Sequence, residues 1–462
     1  MTAHPYIPNS EPRVRAQMLA AVGAASTEEF YAAIPAALRV DGLLDLPEPF
    51  TCEADLVRHV EGLLGRNTST RDAISFLGAG CYNHHVPAVC DEVNGRSEFL
   101  TAYAGEPYED HGRFQALFEY ASMMGELLEM DVVTVPVYDG YQASATALRM
   151  CGRITGRPVV LVTTAISADK RRKIADYLLP DMRIRDLPAS AGTGTLDEDS
   201  LAAALDDDVA GVYLESPNYF GVVETGIARA AGLAHRNSSL LVVSADPISL
   251  GVLASPASLG ADIACGDIQS LGMHQYFGGG QAGYIAVHDD ERFVMELPAR
   301  LFGLAPTSVP GELGFGDVAY ERTSFAVREQ GKEWVGTAAA LWGITAGVYL
   351  ALMGPAGMTD IGDTILARTR YAMMRLDAIP GLTVRHLPSP HFREFVVDLT
   401  GSGAQVAAVD AALRSAGIFV GKDLSSEFPE LGQSILVCVT ELTTKADIDR
   451  LADLLKEAIV TR

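Results

Sequence analysis

Leu240-Leu-Val-Val-Ser-Ala-Asp246-Pro-Ile-Ser-Leu250 and the later run Ala261-Asp-Ile-Ala-Cys-Gly-Asp-Ile-Gln-Ser-Leu-Gly-Met-His274-Gln275-Tyr-Phe-Gly-Gly-Gly280 decide the fold of this chain. The first is a short, unbroken apolar run closed by a carboxylate. Its length and its paired valines read as a strand buried on both faces, with Asp246 at its exit. The second run carries a His-Gln pair and a glycine-rich turn. What is missing nearby matters as much. The chain has six lysines in all, and none stands between Lys173 and Lys332. Gln275 is an amide and offers no primary amine.

Outward from Asp246, the same kind of apolar run recurs between about residues 75 and 322. Val132-Val-Thr-Val-Pro-Val137, Pro158-Val-Val-Leu-Val-Thr163, Ala210-Gly-Val-Tyr-Leu-Glu215 and Gly283-Tyr-Ile-Ala-Val287 all read as doubly buried strands. Helical patterns over 113–130 and 200–205 fall between several of them. Such alternation predicts an α/β domain with a mainly parallel sheet and helices on both faces. Ligands in such sheets sit beyond the carboxyl ends of the strands. Asp246, Pro217-Asn218 and Tyr138-Asp139-Gly140 all fall at such ends.

The flanks complete a three-part organisation: an N-terminal helical arm over 1–70, the large domain over 71–332 and a small α+β domain over 333–462. Residues 10–65 carry a helical pattern. Ser26 serves there as an N-cap before Thr27-Glu-Glu-Phe30, and Phe30, Ile34 and Leu38 share a face. Residues 334–358 carry no charge and meet the length of a membrane span. Their Gly, Ala and Thr content, Pro355 and the lack of flanking basic clusters favour a buried interdomain helix. Strands are expected at Phe395-Val-Val-Asp-Leu399 and Ser434-Ile-Leu-Val-Cys-Val-Thr440, with a closing amphipathic helix over 444–459.

Composition narrows the classes of function. With 48% hydrophobic and 20% charged residues over 462 positions, the chain is globular and too long for one small core. A formal charge of −24 argues against nucleic acid and anionic membrane as partners. Cys52, Cys81, Cys90, Cys151, Cys265 and Cys438 form no Cys-x-x-Cys pair, the pattern of reduced thiols in a cytoplasmic protein. The first residues show no signal-peptide pattern.

Several residues offer chemistry, each with a plainer reading beside it. Tyr138-Asp139-Gly140 is a strand-to-helix turn that aims N–H groups and a helix N-terminus at an anion, yet Asp-Gly is also an ordinary turn. Asp246 is placed to hold a protonated ring nitrogen, or else to cap the turn begun by Pro247. His274 reads as a ring-stacking or acid–base group, or as a packing histidine. His84-His85 and Asp110-His111 match no common zinc spacing, and no metal site is expected.

Read together, these features resemble the cofactor core of a fold-type I pyridoxal-phosphate (PLP) protein whose His-Lys pair has become His274-Gln275. Whole motifs sharpen the likeness. Tyr6-Ile-Pro-Asn9, Phe76-Leu-Gly-Ala-Gly-Cys-Tyr82, Glu98-Phe-Leu-Thr-Ala-Tyr103, Phe118-Glu-Tyr120, Pro217-Asn-Tyr-Phe-Gly221, Ala245-Asp-Pro-Ile-Ser-Leu-Gly251, Gly421-Lys-Asp-Leu424 and Val439-Thr-Glu441 occur in order along nearly the whole chain. In this order they resemble subunit 1 of the two-subunit glycine decarboxylase, the P-protein of the glycine cleavage system, as a divergent member.

The resemblance implies a fold-type I architecture with a seven-stranded-type sheet. It implies an oxidoreductase subunit that is inactive alone and completes the PLP site of a homologous, lysine-bearing subunit 2. The small amino-acid substrate would then pass an aminomethyl group to the lipoyl carrier H-protein. On this pattern Thr101, Tyr103 and His274 are the catalytic candidates. Tyr138, Asp139, Gly140 and Asp246 are vestigial or partner-facing cofactor contacts, and no PLP is covalently bound to this chain. Two stretches, 104–111 and 334–341, depart from the family pattern, so a relative serving another amino acid stays open. So do imine-free chemistry through Glu109, Asp110 and His111, and a structural or regulatory role beside a lysine-bearing homologue.

Overall fold

The computed structural model describes residues 6, 7, 11–40, 42, 44–99, 111–333, 335 and 339–460. The chain separates into two compact units, Met1–Thr68 and Ser69–Arg462. The first contains the helices Pro12–Ala21 and Glu53–Leu64. Between them the expected helix through Phe30, Ile34 and Leu38 is replaced by two 3-10 turns, Thr27–Tyr31 and Ala36–Leu38. Pro35 explains the break, because it lacks an N–H and cannot extend a helical ladder past its own position. The start of the segment follows expectation: the Glu29 carboxylate accepts the Ser26 and Ala25 N–H groups, at 3.2 and 2.7 Å.

In the second unit, seven strands form one sheet. Their spatial order is Val132–Val133, Gly283–Val287, Ile263–Asp267, Leu240–Ala245, Val209–Ser216, Val159–Thr163, Arg183–Leu187. Gly283–Val287 runs antiparallel to both neighbours, and every other pairing is parallel. The doubly buried runs become strands because alternate residues feed two cores. Leu161, Val212, Val243 and Ala264 enter one, while Val160, Tyr213, Val242 and Cys265 enter the other. Helices cover each face: His111–Leu128 and Ile227–Arg236 on the first, Gly140–Thr155 and Ala168–Leu178 on the second. The result is a three-layer α/β/α arrangement.

Sequence patterning missed the edge strand Arg183–Leu187, whose Arg-Ile-Arg-Asp-Leu composition is half exposed. Charge on an edge strand is what keeps it from pairing further.

A third core gathers residues 372–459, and Phe76 joins it. Its antiparallel sheet has the order Thr383–Val384, Glu394–Asp398, Ser434–Cys438, Lys422–Asp423. Ile74–Ser75 pairs in parallel with Ile418–Phe419, so the chain touches this C-terminal layer before it builds the large sheet.

Among the described residues one helix, Ala340–Asp377, is long and apolar enough to cross a membrane. Its buried positions are occupied by protein. Gly343 and Gly347 lie against Tyr120, Ala346 and Tyr349 enter the large core, and Met373 and Leu376 enter the small one. The helix kinks at Gly354, whose φ of 57° and ψ of −177° suit only glycine, just ahead of Pro355. One kinked helix thereby joins both cores.

Candidate functional site

The central parallel strands converge on one cleft and deliver polar groups there. Leu240–Ala245 hands over Asp246, Val209–Ser216 brings in Glu215, and Ile263–Asp267 ends on Asp267. The turn after Val159–Thr163 leads to Ser167 and Lys170, and the C-terminal layer contributes Arg393 and Glu394. A cavity of ≈ 120 Å³ lies among them.

Asp246 serves two partners. Its Oδ1 accepts the Ile248 N–H at 3.0 Å, capping the turn begun by Pro247. Its Oδ2 stands 3.0 Å from Nη2 of Arg393. Arg393 is only 1% exposed, and its guanidinium stacks 4.2 Å from the centre of the Tyr82 ring.

The helix start that reads as an anion cradle is already supplied with carboxylates. Asp139 accepts the Gln142 N–H at 2.7 Å and so caps the helix Gly140–Thr155. Asp267 accepts the Gly140 N–H at 2.9 Å and the Gln269 N–H at 2.8 Å. Two acidic groups therefore occupy the positive end of this helix. Gly140 and Asp246 line the cavity, whereas Tyr138 and Asp139 do not, and Tyr138 is 55% exposed.

The structure places His274 and Gln275 outside the lining of the cleft. His274 Nε2 pairs with Asp91 at 3.0 Å near the surface, and the Gln275 carbonyl lies against the Cys81 thiol. The residues leaving the strand into the cleft are Gln269 and Ser270, both buried. Gln269 clamps the 79–82 turn: its Nε2 donates to the Tyr82 carbonyl and its Oε1 accepts the Tyr82 N–H, both at 3.0 Å. The signal was present in the sequence. A side chain two or three residues past a strand end reaches the cleft, and one seven or eight residues on has left it. The histidine was the wrong landmark.

Sequence reasoning also missed Lys170. Ser167 caps its helix by accepting the Lys170 N–H at 3.1 Å, which turns the side chain inward. There Nζ donates to Glu215 Oε1 at 2.6 Å, and the Tyr213 hydroxyl reaches the same oxygen at 2.8 Å. Burial by itself favours neutral lysine, but the Glu215 carboxylate overrides it and holds the ammonium well above its usual range. A locked ammonium is not a nucleophile.

Thr101 and Tyr103 lie outside the described residues, as do Glu109 and Asp110 and the side chain of His111. His84 is taken up by Glu441, whose Oε2 is 2.8 Å from Nδ1.

Glu394 accepts the Ala79 N–H at 2.6 Å and the Tyr82 hydroxyl at 2.9 Å. Burial nevertheless pushes its carboxyl up from 4.5 to about 7, and burial likewise lifts Asp267 from 3.8 to about 7. An acid raised in the folded state holds its proton more tightly there than in the unfolded chain. Its stabilising contribution is thus full below the unfolded value and is lost as pH rises through the folded one. Urea unfolding should show stability falling between about pH 4 and pH 7, by on the order of 3 kcal/mol for Glu394 alone. Glu394→Gln should flatten that slope. A pH-independent midpoint in the parent protein would refute the assignment.

A cleft at the carboxyl ends of a largely parallel seven-stranded sheet, crossed by a second α+β layer, has close counterparts. The family model described as glycine cleavage system P-protein matches residues 4–455. This chain belongs to that family. It is 36% identical over 468 residues to the probable glycine dehydrogenase (decarboxylating) subunit 1 of Staphylothermus marinus, covering 99% of each chain. It is 37% identical over 448 residues to the protein so named from Moorella thermoacetica, covering 96% of this chain and 98% of the relative. The crystal structure of glycine decarboxylase (P-protein) of the glycine cleavage system, in inhibitor-bound form, matches with a TM-score of 0.83 at 32% identity, over 99% of this chain and 100% of that one. A sphingosine-1-phosphate lyase from Burkholderia pseudomallei shares the fold at a TM-score of 0.66 and 17% identity, covering 92% and 94%. The α/β architecture is that of the fold-type I PLP-dependent proteins.

The P-protein family implies PLP, but the residues in this chain's own cleft do not fit it. The carboxylate for a pyridinium nitrogen faces the Arg393 guanidinium. The helix N-terminus for a phosphate already holds the Asp267 carboxylate. The strand exit carries Gln269 and Ser270, and the amine of Lys170 is tied to Glu215.

Proposed function

We propose that this chain is the lysine-lacking subunit of a two-subunit glycine decarboxylase. On this reading it completes the active site of a homologous subunit 2, which holds PLP and supplies the Schiff-base lysine. The observation that carries the reading is the Arg393–Asp246 pair, which puts a fixed cation where a cofactor ring nitrogen would need the carboxylate. Near-full-length similarity to proteins named glycine dehydrogenase subunit 1 supports it. When bound in subunit 2, PLP supplies the electron sink that decarboxylation beside an amine requires. This chain's share is the wall: residues around Thr101 and Tyr103 orient the substrate and exclude water, and the lipoyl H-protein docks to receive the aminomethyl group. The six cysteines are unpaired, the state a reducing cytoplasm maintains.

Co-expression with a lysine-bearing homologue, followed by glycine–bicarbonate exchange in the presence of lipoylated carrier, tests the proposal. Exchange is expected from the pair and none from either chain alone. Thr101→Ala and Tyr103→Phe should lower kcat by about tenfold or more while leaving co-purification intact. A lone chain that covalently holds PLP and turns over an amino acid would overturn the reading.

A further inference from the structure

The cleft that rejects the aldehyde cofactor still holds space. Arg393, Asp246, Glu394, Tyr82 and Lys170 all face the ≈ 120 Å³ cavity. Arg393 is 1% exposed, yet none of its three side-chain nitrogens has a well-directed hydrogen-bond acceptor. A guanidinium presents five N–H donors in a planar fork that matches a carboxylate. Leaving such donors unmet in the interior is destabilising, so Nε and Nη1, which the Asp246 carboxylate beside Nη2 leaves without an acceptor, mark where one belongs.

The surrounding charges decide what kind of molecule carries that acceptor. Four carboxyl groups line the cavity, those of Glu215, Asp246, Asp267 and Glu394, against two cations, Lys170 and Arg393. Lys170 is matched by Glu215 and Arg393 by Asp246, which leaves Asp267 and Glu394 without a cation. A phosphate dianion would meet both as like charges, and a plain carboxylate would add a third negative group. A zwitterion suits both halves of the wall. Burial holds Glu394 partly protonated near neutrality, and an adjacent ammonium would favour its ionised form.

We propose that this subunit's own cleft binds a small α-amino acid non-covalently, its carboxylate on the Arg393 fork and its ammonium toward Glu394. This goes beyond the composite-site reading and stands apart from it: the ligand here is bound, not transformed.

Calorimetric titration of the full-length chain, purified without its partner, tests the proposal with glycine as the smallest such zwitterion. Saturable glycine binding is expected, with acetate and methylamine each at least about tenfold weaker and inorganic phosphate not competing. Arg393→Gln should abolish binding. Because that variant also strips Asp246 of its partner, Ser270→Leu provides a second arm that fills the cavity and leaves the guanidinium in place. It too should abolish binding with an unchanged near-UV circular dichroism spectrum. No saturable glycine binding, phosphate binding tighter than glycine, or glycine binding that survives Ser270→Leu would each overturn the proposal. An exchange-competent complex whose lone chain binds no glycine would sink this inference and leave the composite-site reading standing.

Discussion

Gly221→Ala should leave a chain that does not reach the native fold, or one destabilised by on the order of 4–5 kcal/mol. Gly221 has φ of +80°, and a β-carbon built there would overlap the backbone carbonyl of Glu394. A flexible side chain could swing aside, but a strand backbone cannot. The same contact carries hydrogen bonds. The Gly221 N–H donates to the Asn218 carbonyl at 2.8 Å, and the Phe392 N–H donates to the Gly221 carbonyl at 2.9 Å. The turn over 218–221 is thus the buttress that sets the height of Arg393 and Glu394 above the sheet. Both the left-handed backbone and the missing side chain are required, and alanine violates both. Denaturant unfolding decides the matter. A Gly221→Ala variant within about 1 kcal/mol of the parent would show that the 392–394 segment does not sit where it is described.

Lys170→Met should destabilise the chain by about 3–5 kcal/mol, because it strands the Glu215 carboxylate in the interior. Both partners are at least nine-tenths buried, the Tyr213 hydroxyl donates to Glu215, and Lys170 Nζ donates to the Ser244 hydroxyl. Removing both charges should recover much of the loss, since a buried ion pair adds little over apolar residues of similar volume. Lys170→Met/Glu215→Leu is therefore expected to be more stable than Lys170→Met alone. In a double-mutant cycle the coupling should be about 2 kcal/mol or more. Additive effects, or a single substitution tolerated within about 0.5 kcal/mol, would mean that Lys170 is hydrated and free to react. That result would also undo the conclusion that the cleft offers no usable amine.

The strands at 159–163, 209–216, 240–245 and 283–287 were legible because burial on both faces writes itself as continuous apolar runs, whereas the run over 132–137 yields only the two-residue edge strand Val132–Val133. Asp246 at a strand exit was legible for the same reason. The closing helix Lys445–Val460 followed from its periodicity. Less legible were Arg183–Leu187, whose charges suit an edge, and the 3-10 turns around Pro35, where an apolar face persists without an α-helix. At the site, Gly140 and Asp246 were brought together as expected, while His274 and Gln275 were not. Counting from the strand end, rather than looking for a histidine, points to Gln269 and Ser270.

The order of apolar runs along the chain determines a layered α/β fold, since each run has only one way to hide both its faces. The lysine content likewise determines that no amine follows the strand at 263–267. Composition and local pattern carry that information because burial and reactivity there belong to single residues. The pairing of Arg393 with Asp246, the seating of Asp267 on a helix N-terminus and the locking of Lys170 by Glu215 belong to no single segment. They exist only once remote parts of the chain share one low-dielectric cleft, where a charge's meaning is set by its neighbour. That is why the sequence could show a carboxylate at a strand exit, while only the tertiary structure showed the guanidinium that faces it.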